Sequence, residues 1–201
     1  MTRYKIALAL SATALGLAGC STAPRTSVTR FHMNQPIARG QITVEPLLPA
    51  MRGTPEFQTY ANIVGAQLAR NGFSEAPGLA TSEQVAAIAV EFGLQVAPRR
   101  GGLTIGVGLG GGSYGYRGGG VGGGVGASVP VTGGGGRELV ATRLIVQIKR
   151  RSDGTTVWEG RAETAAPVGS PAAQPADAVQ RLATALFADF PGASGRTITV
   201  K

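Results

Sequence analysis

Histidine, cysteine, acidic residues and aromatic rings are all scarce in this chain. Among 201 residues there is one His, one Cys and one Trp, with six Phe, four Tyr and 11 acidic residues. A single cysteine rules out an intrachain disulfide, so an oxidising compartment would supply no covalent staple. With one His and one Cys, a zinc site of the usual His/Cys type cannot be assembled. A serine nucleophile would have only His32 for its base, and no Gly-x-Ser-x-Gly elbow is present. No Gly-Lys-Ser/Thr occurs, which excludes a phosphate-cradling P-loop. The acidic residues are scattered; Glu159 and Glu163 share a strand face with Arg161 between them, the pattern of a solvated charged face rather than of two carboxylates across a cleft. An enzyme is disfavoured, and the sequence implies no metal and no cofactor.

The chain also lacks an apolar run of spanning length. Ile6 to Ala18 is uncharged and apolar but only 13 residues long, short of the roughly 20 that a spanning helix needs. Arg3 and Lys5 precede it, and the small residues Ala18 and Gly19 close it. A basic start, a short apolar middle and small residues before a break make a secretory signal peptide. Here the break falls at the only cysteine. Leu17-Ala18-Gly19-Cys20 resembles the lipobox of bacterial lipoproteins. On that reading residues 1–19 are removed and the Cys20 thiol takes a diacylglycerol as a thioether, with a further N-acyl chain of the palmitate type; Leu17, Ala18 and Gly19 are what the signal peptidase reads. Two or more acyl chains hold a protein durably on a bilayer. Ser21 stands where lipoproteins of the inner membrane usually carry Asp, so the expected location is the periplasmic face of the outer membrane, with outer-membrane lipid as the anchoring partner.

What is abundant is glycine, arginine and alternation. The net charge is +8, falling to +6 once Arg3 and Lys5 are removed, and 16 of the 19 basic residues are Arg. Arg suits bidentate contact with phosphates and carboxylates. A periplasmic site makes nucleic acid an unsuitable partner, and leaves anionic headgroups or acidic protein surfaces. A GC-rich genome is the competing explanation for the Arg excess.

Residues 20–27 read as an acylated cysteine and tether, and 28–201 as a single domain. Strands are expected at Val28–Met33 (Phe31 and Met33 on one face, Arg30 and His32 on the other), Gln41–Glu45, Gln84–Val96, about 137–150, Thr156–Thr164 and 198–200. Asp153-Gly154 marks a hairpin turn. One helix follows the Thr54 cap and Pro55, carries Phe57, Tyr60, Ala61, Val64 and Leu68, and stops at Asn71-Gly72. A second carries Val179, Leu182, Ala183, Leu186, Phe187 and Phe190 and breaks at Pro191-Gly192. The fold expected is α+β: a two-layer sandwich with a mostly antiparallel sheet of five to six strands and two amphipathic helices on one face.

Residues 101–136 hold 19 of the 32 glycines. A G-x-G-x-x-G match at Gly106–Gly111 is worthless in such a tract, because no helix follows to receive a phosphate. Its period says more. Leu103, Ile105, Val107 and Leu109 alternate with Thr or Gly, and Val125, Ala127, Val129 and Val131 alternate with small residues. Two such arms around Ser113-Tyr114-Gly115-Tyr116-Arg117 form a long β-hairpin grown out of the pair 84–98 and 137–150. For 111–124 the pattern leaves two readings open, an ordered tip and a disordered tract. The hairpin's bare glycine face offers a docking surface for an envelope protein, a membrane or a second copy. Arg99, Arg100 and Arg137 meet at its base and could hold anionic headgroups; flanking charges that keep strand ends soluble are the stronger explanation.

Three segments carry a family resemblance: Thr29-Arg30-Phe31-His32, Val157-Trp158-Glu159-Gly160-Arg161-Ala162, and Leu186 to Gly192 with Ser194-Gly195. Residues from about Arg30 to Lys201 resemble the bacterial lipoproteins grouped as domain of unknown function 4136, in the version with a glycine-rich insert. The resemblance implies an α+β envelope domain and supplies no activity, so no functional residue carries over. Two functions stay open: a non-catalytic binding or scaffolding module for envelope assembly or transport, and a lipid or glycolipid handler using an apolar helix–sheet interior and the Arg cluster.

Overall fold

Alternation of apolar and polar residues along the strands builds one large sheet. The structure, a computed structural model, describes residues 24–75, 82–97, 104–108, 126–130 and 137–200. The elements run β1 (Thr26–His32), β2 (Gln41–Pro46), α1 (Pro55–Arg70), β3 (Ser74–Glu75), β4 (Gln84–Ala97), β5 (Thr104–Gly108), β6 (Gly126–Pro130), β7 (Arg137–Arg150), β8 (Thr156–Pro167), α2 (Pro175–Phe187) and β9 (Thr197–Val200). No helix among the described residues is long and apolar enough to cross a membrane.

The α+β class holds, but the sheet has seven strands rather than five to six and is mixed rather than mostly antiparallel. Its order is β3-β2-β4-β7-β8-β1-β9. Here β2 runs parallel to both its neighbours, β3 and β4. The cause is α1: a helix between two strands returns the chain in its original direction, and a two-residue β3 is enough to pair. Two residues give no period, so β3 left no trace in the sequence pattern.

The first helix is punctuated as its sequence indicates. The Phe57 N–H donates to Thr54 Oγ1 at 3.1 Å, and Pro55 takes the first helical position. Phe57, Tyr60, Val64 and Leu68 are buried against the sheet. The second helix stops at Phe187, three residues earlier than the stripe suggested, and Phe190 packs from the following turn. Both helices cover one sheet face. Under them Val28, Ile42, Ala86, Ile88, Leu144, Val146, Ile148, Trp158 and Ala162 close the core.

In β1 the faces are opposite to the sequence expectation. Arg30 points inward with Val28 at 3% exposure, while Phe31 stands on the open face at 43%. Polarity alone puts the arginine outside; the carbonyl groups waiting for it at the end of α2 reverse the choice. β1 also begins at Thr26, inside the segment expected as tether.

The two arms of the glycine-rich insert pair as expected, Thr104 with Pro130 through Gly108 with Gly126. Partner numbers in the β5–β6 and β4–β7 ladders add to the same value, 234 (104 and 130; 84 and 150). The ladders are nevertheless separate sheets, and β6 comes beside β4. The expected ordered or disordered tip at 111–124 lies outside the described residues.

Candidate functional site

Cys20, Leu17, Ala18, Gly19, Arg99 and Arg100 lie outside the described residues. Arg137 is described: it is exposed, opens β7 and pairs with Ala97. The sheet register then fixes where the chain preceding β1 enters. Thr26 is level with Thr164, Thr164 with Thr142, and Thr142 with Phe92. Beyond that level β4 and β7 run five residues further, to the Ala97–Arg137 pair where the insert departs. The chain therefore enters the domain towards the end from which the glycine-rich insert leaves.

The sheet face away from the helices is open and carries an ion ladder. Glu91, Arg143 and Glu163 are direct cross-strand partners. Arg143 donates to Glu163 at 2.7 Å and to Glu91 at 3.1 Å. Burial pushes the Arg143 guanidinium down, but the two carboxylates outweigh it and its pKa sits above the ordinary arginine value. Gln147 donates to Glu159, which also pairs with Arg161. Each carboxylate of this face has a cationic or amide partner, so none is a free base; the groups are half exposed and individually contribute little.

The far end of the sheet holds a recess of about 560 Å³ bounded by Ile37, Ser82, Gln84, Arg150, Arg151 and Val157. Arg151 organises its wall. It donates through Nε to the Ser82 carbonyl and through Nη2 to Glu45 at 2.8 Å and to Ser82 Oγ at 2.9 Å. Arg150 is taken by Asp153 at 2.6 Å. These cations are thus spoken for internally. The recess draws on three segments far apart in sequence, so periodicity gave no sign of it.

The segments that carried the family resemblance meet in one place. Arg30 donates through Nε to the Leu186 carbonyl at 2.9 Å and through Nη2 to that of Ala185 at 3.0 Å, closing the C-terminus of α2, where cations are favoured. Burial pulls its pKa below the ordinary value, and Asp189 partly opposes that. Trp158 Nε1 donates to the Pro191 carbonyl at 3.0 Å, and its ring stacks on Phe187. His32 Nε2 lies 2.9 Å from the Gly192 carbonyl, and Ser194 Oγ bonds the His32 backbone. A Cβ at Gly160 would fall 2.3 Å from the indole, and one at Gly192 would fall 2.6 Å from the Arg30 side chain. These bonds of Arg30, Trp158, His32 and Ser194 hold the α2 terminus and the turn after it to β1 and β8. His32 is therefore a bracket between β1 and the turn after α2. Among the described residues no three His, Cys, Asp or Glu side chains converge as a metal site.

An uncharacterised protein of Zymomonas mobilis is 36% identical over 210 residues, covering 87% of this chain and 79% of that protein. Among solved structures, a PelC dodecamer from Paraburkholderia phytofirmans is 15% identical with a TM-score of 0.39, covering 81% of this chain and 92% of that one. A PDZ domain protein from Parabacteroides distasonis is 10% identical with a TM-score of 0.45, covering 88% of this chain and 39% of that one. Likeness at that level carries no argument about this protein. Residues 52–192 match the family described as "Domain of unknown function (DUF4136)", and the chain belongs to that family.

Proposed function

We propose that this protein is a lipid-anchored envelope module on the periplasmic face of the outer membrane, and that it binds or scaffolds without catalysing. The observation that carries the reading is the entry point of β1. Thr26 is locked in the sheet six residues after Cys20, a tether of at most roughly 20 Å when fully extended. An acylated Cys20 would hold the domain against the bilayer, with the insert's end of the sheet nearest the attachment point. Arg25 and Arg137 are exposed at that end, where anionic headgroups would meet them. The glycine-rich hairpin, Gly101–Gly136, is on this reading the docking element for an envelope partner.

The alternative, a lipid or glycolipid handler, would need an apolar hollow between helices and sheet. Leu144, Val146, Ile148, Trp158, Leu182 and Leu186 fill that space with no exposure at all, which supports docking over carriage.

The anchor is tested by metabolic labelling with a palmitate analogue. The intact chain should label and fractionate with the outer membrane, and Cys20→Ala should do neither; a labelled Cys20→Ala protein overturns the reading. Docking is tested by deleting residues 103–131, which should leave the domain folded and remove its in-cell crosslinks. Crosslinks unchanged by the deletion would refute the hairpin's role.

A further inference from the structure

β4 is an interior strand for only part of its length. On the side away from β7, β2 covers Gln84 to Ile88, and among the described residues nothing pairs with Ala89–Ala97. The direction of the free groups follows from one bond. Ile88 accepts from the Leu47 N–H at 2.7 Å, so its carbonyl points to the β2 side. Backbone direction alternates along a strand, which turns the N–H and C=O groups of Val90, Phe92, Leu94 and Val96 towards the same open edge. These residues also carry the apolar side chains: Phe92 is 40% exposed and Leu94 67%. Natural edges are usually blunted by Lys, Pro or a bulge. Ala89–Ala97 has no Lys, no Pro and no bulge, and its one charge, Glu91, is bonded to Arg143 on the other side. The hairpin strand β6 comes beside β4 but makes no ladder bond to it and leaves Leu94 exposed.

The stretch is self-complementary. Gly93 is its midpoint. An antiparallel twofold through Gly93 places Ala89 opposite Ala97, Val90 opposite Val96, Glu91 opposite Gln95 and Phe92 opposite Leu94. Every unpaired residue then meets an unpaired residue; β2 obstructs none of them, and β6, which is not bonded to β4, has to move aside. The edge-facing groups at Val90, Phe92, Leu94 and Val96 become the hydrogen-bonded pairs. Phe92 and Leu94 meet across the join, an aromatic–aliphatic pair of the stabilising kind, and no like charges face each other.

We propose that the free edge Ala89–Ala97 of β4 is a homodimer interface, in which a second copy adds antiparallel about a twofold at Gly93 and the two seven-stranded sheets become one. Such an interface is isologous, closes at two copies and leaves no further edge of this kind exposed. It uses neither Cys20 nor the 101–136 insert, so it stands or falls separately from the anchor and from hairpin docking.

Cysteine crosslinking in the full-length chain in its own membranes tests the register, with the unsubstituted chain as the blank. In a pair without hydrogen bonds, as at Gly93, the Cα atoms lie about 4.5 Å apart, within disulfide range. Under mild oxidation Gly93→Cys should give a disulfide dimer. Ala89→Cys and Ala97→Cys should give none singly and should crosslink when the two chains are co-expressed. Leu94→Lys in the Gly93→Cys background should abolish the band; Leu94 is exposed, so the change should spare the fold. Absence of the Gly93→Cys dimer, or equal linking at all three positions, overturns the proposal. So does a Gly93→Cys dimer that forms only after residues 104–130 are deleted, because the edge would then belong to β6 of the same chain.

Discussion

Gly160 and Arg30 show what single residues hold in place. The indole of Trp158 lies over Gly160, and Leu186 Cδ1 would come within 2.7 Å of any Cβ there. Gly160→Ala should therefore cost about 1–3 kcal/mol as overpacking, read as a lower denaturant midpoint with an unchanged slope. Arg30→Lys keeps the charge but loses the planar fork that serves two carbonyls at once. The loss should be about 2 kcal/mol or more, since a buried group is left with an unmet partner. At this scale the sequence was an uneven guide. Trp158, Gly160 and Ala162 sharing a face followed from alternation, and they do share the buried one. Arg30 did not follow, because its inward rotamer depends on a helix terminus more than 150 residues away. His32 was hidden for the same reason: its partners Gly192 and Ser194 are distant in sequence.

Among the elements, those whose signals are local were readable. Thr54, Pro55 and Asn71-Gly72 bound α1 as observed, and Thr54→Ala should cost about 1 kcal/mol by freeing the Phe57 N–H. The turn between β7 and β8 offers a pH test. Asp153 accepts from the Thr155 N–H and pairs with Arg150, and these hold its carboxyl below its ordinary value of 3.8. A depressed carboxyl adds stability that is present above its unfolded value and lost as pH falls through its folded value. Protection factors of the amides of residues 152–155 should thus fall as the pH drops through the folded value of Asp153, and Asp153→Asn should remove that fall. The parallel placement of β2 was not readable. Strand periodicity says which residues share a face and nothing about which strand lies alongside.

For the molecule as a whole, class and layer number were accessible from two amphipathic helices and a set of alternating strands. The seven-strand order was not, nor was the half of β4 that lacks a ladder partner on its β2 side among the described residues. Both are consequences of unequal strand lengths: β4 and β7 have 14 residues each, whereas β2 has six and β3 two. Ile88, at the end of the covered part of β4, and Leu94, on its bare part, are indistinguishable in sequence; one is 3% exposed and the other 67%. The homodimer should also appear in bulk measurement. The detergent-solubilised chain should have the mass of two copies by light scattering, and Leu94→Lys the mass of one.

The position of β1 has a mechanical consequence. It is not an outer strand: β8 flanks it along all seven residues and β9 along four. Tension reaching the domain through the segment before Thr26 runs along the β1 axis. It therefore loads the hydrogen bonds to both neighbours in shear, all together, instead of peeling them one at a time. Arg30 adds resistance in the same direction, because β1 cannot slide without dragging its guanidinium off the end of α2. Resistance to forced unfolding is set by the unfolding rate rather than by equilibrium stability. A domain with this attachment can be pulled hard from its N-terminal side before it gives way.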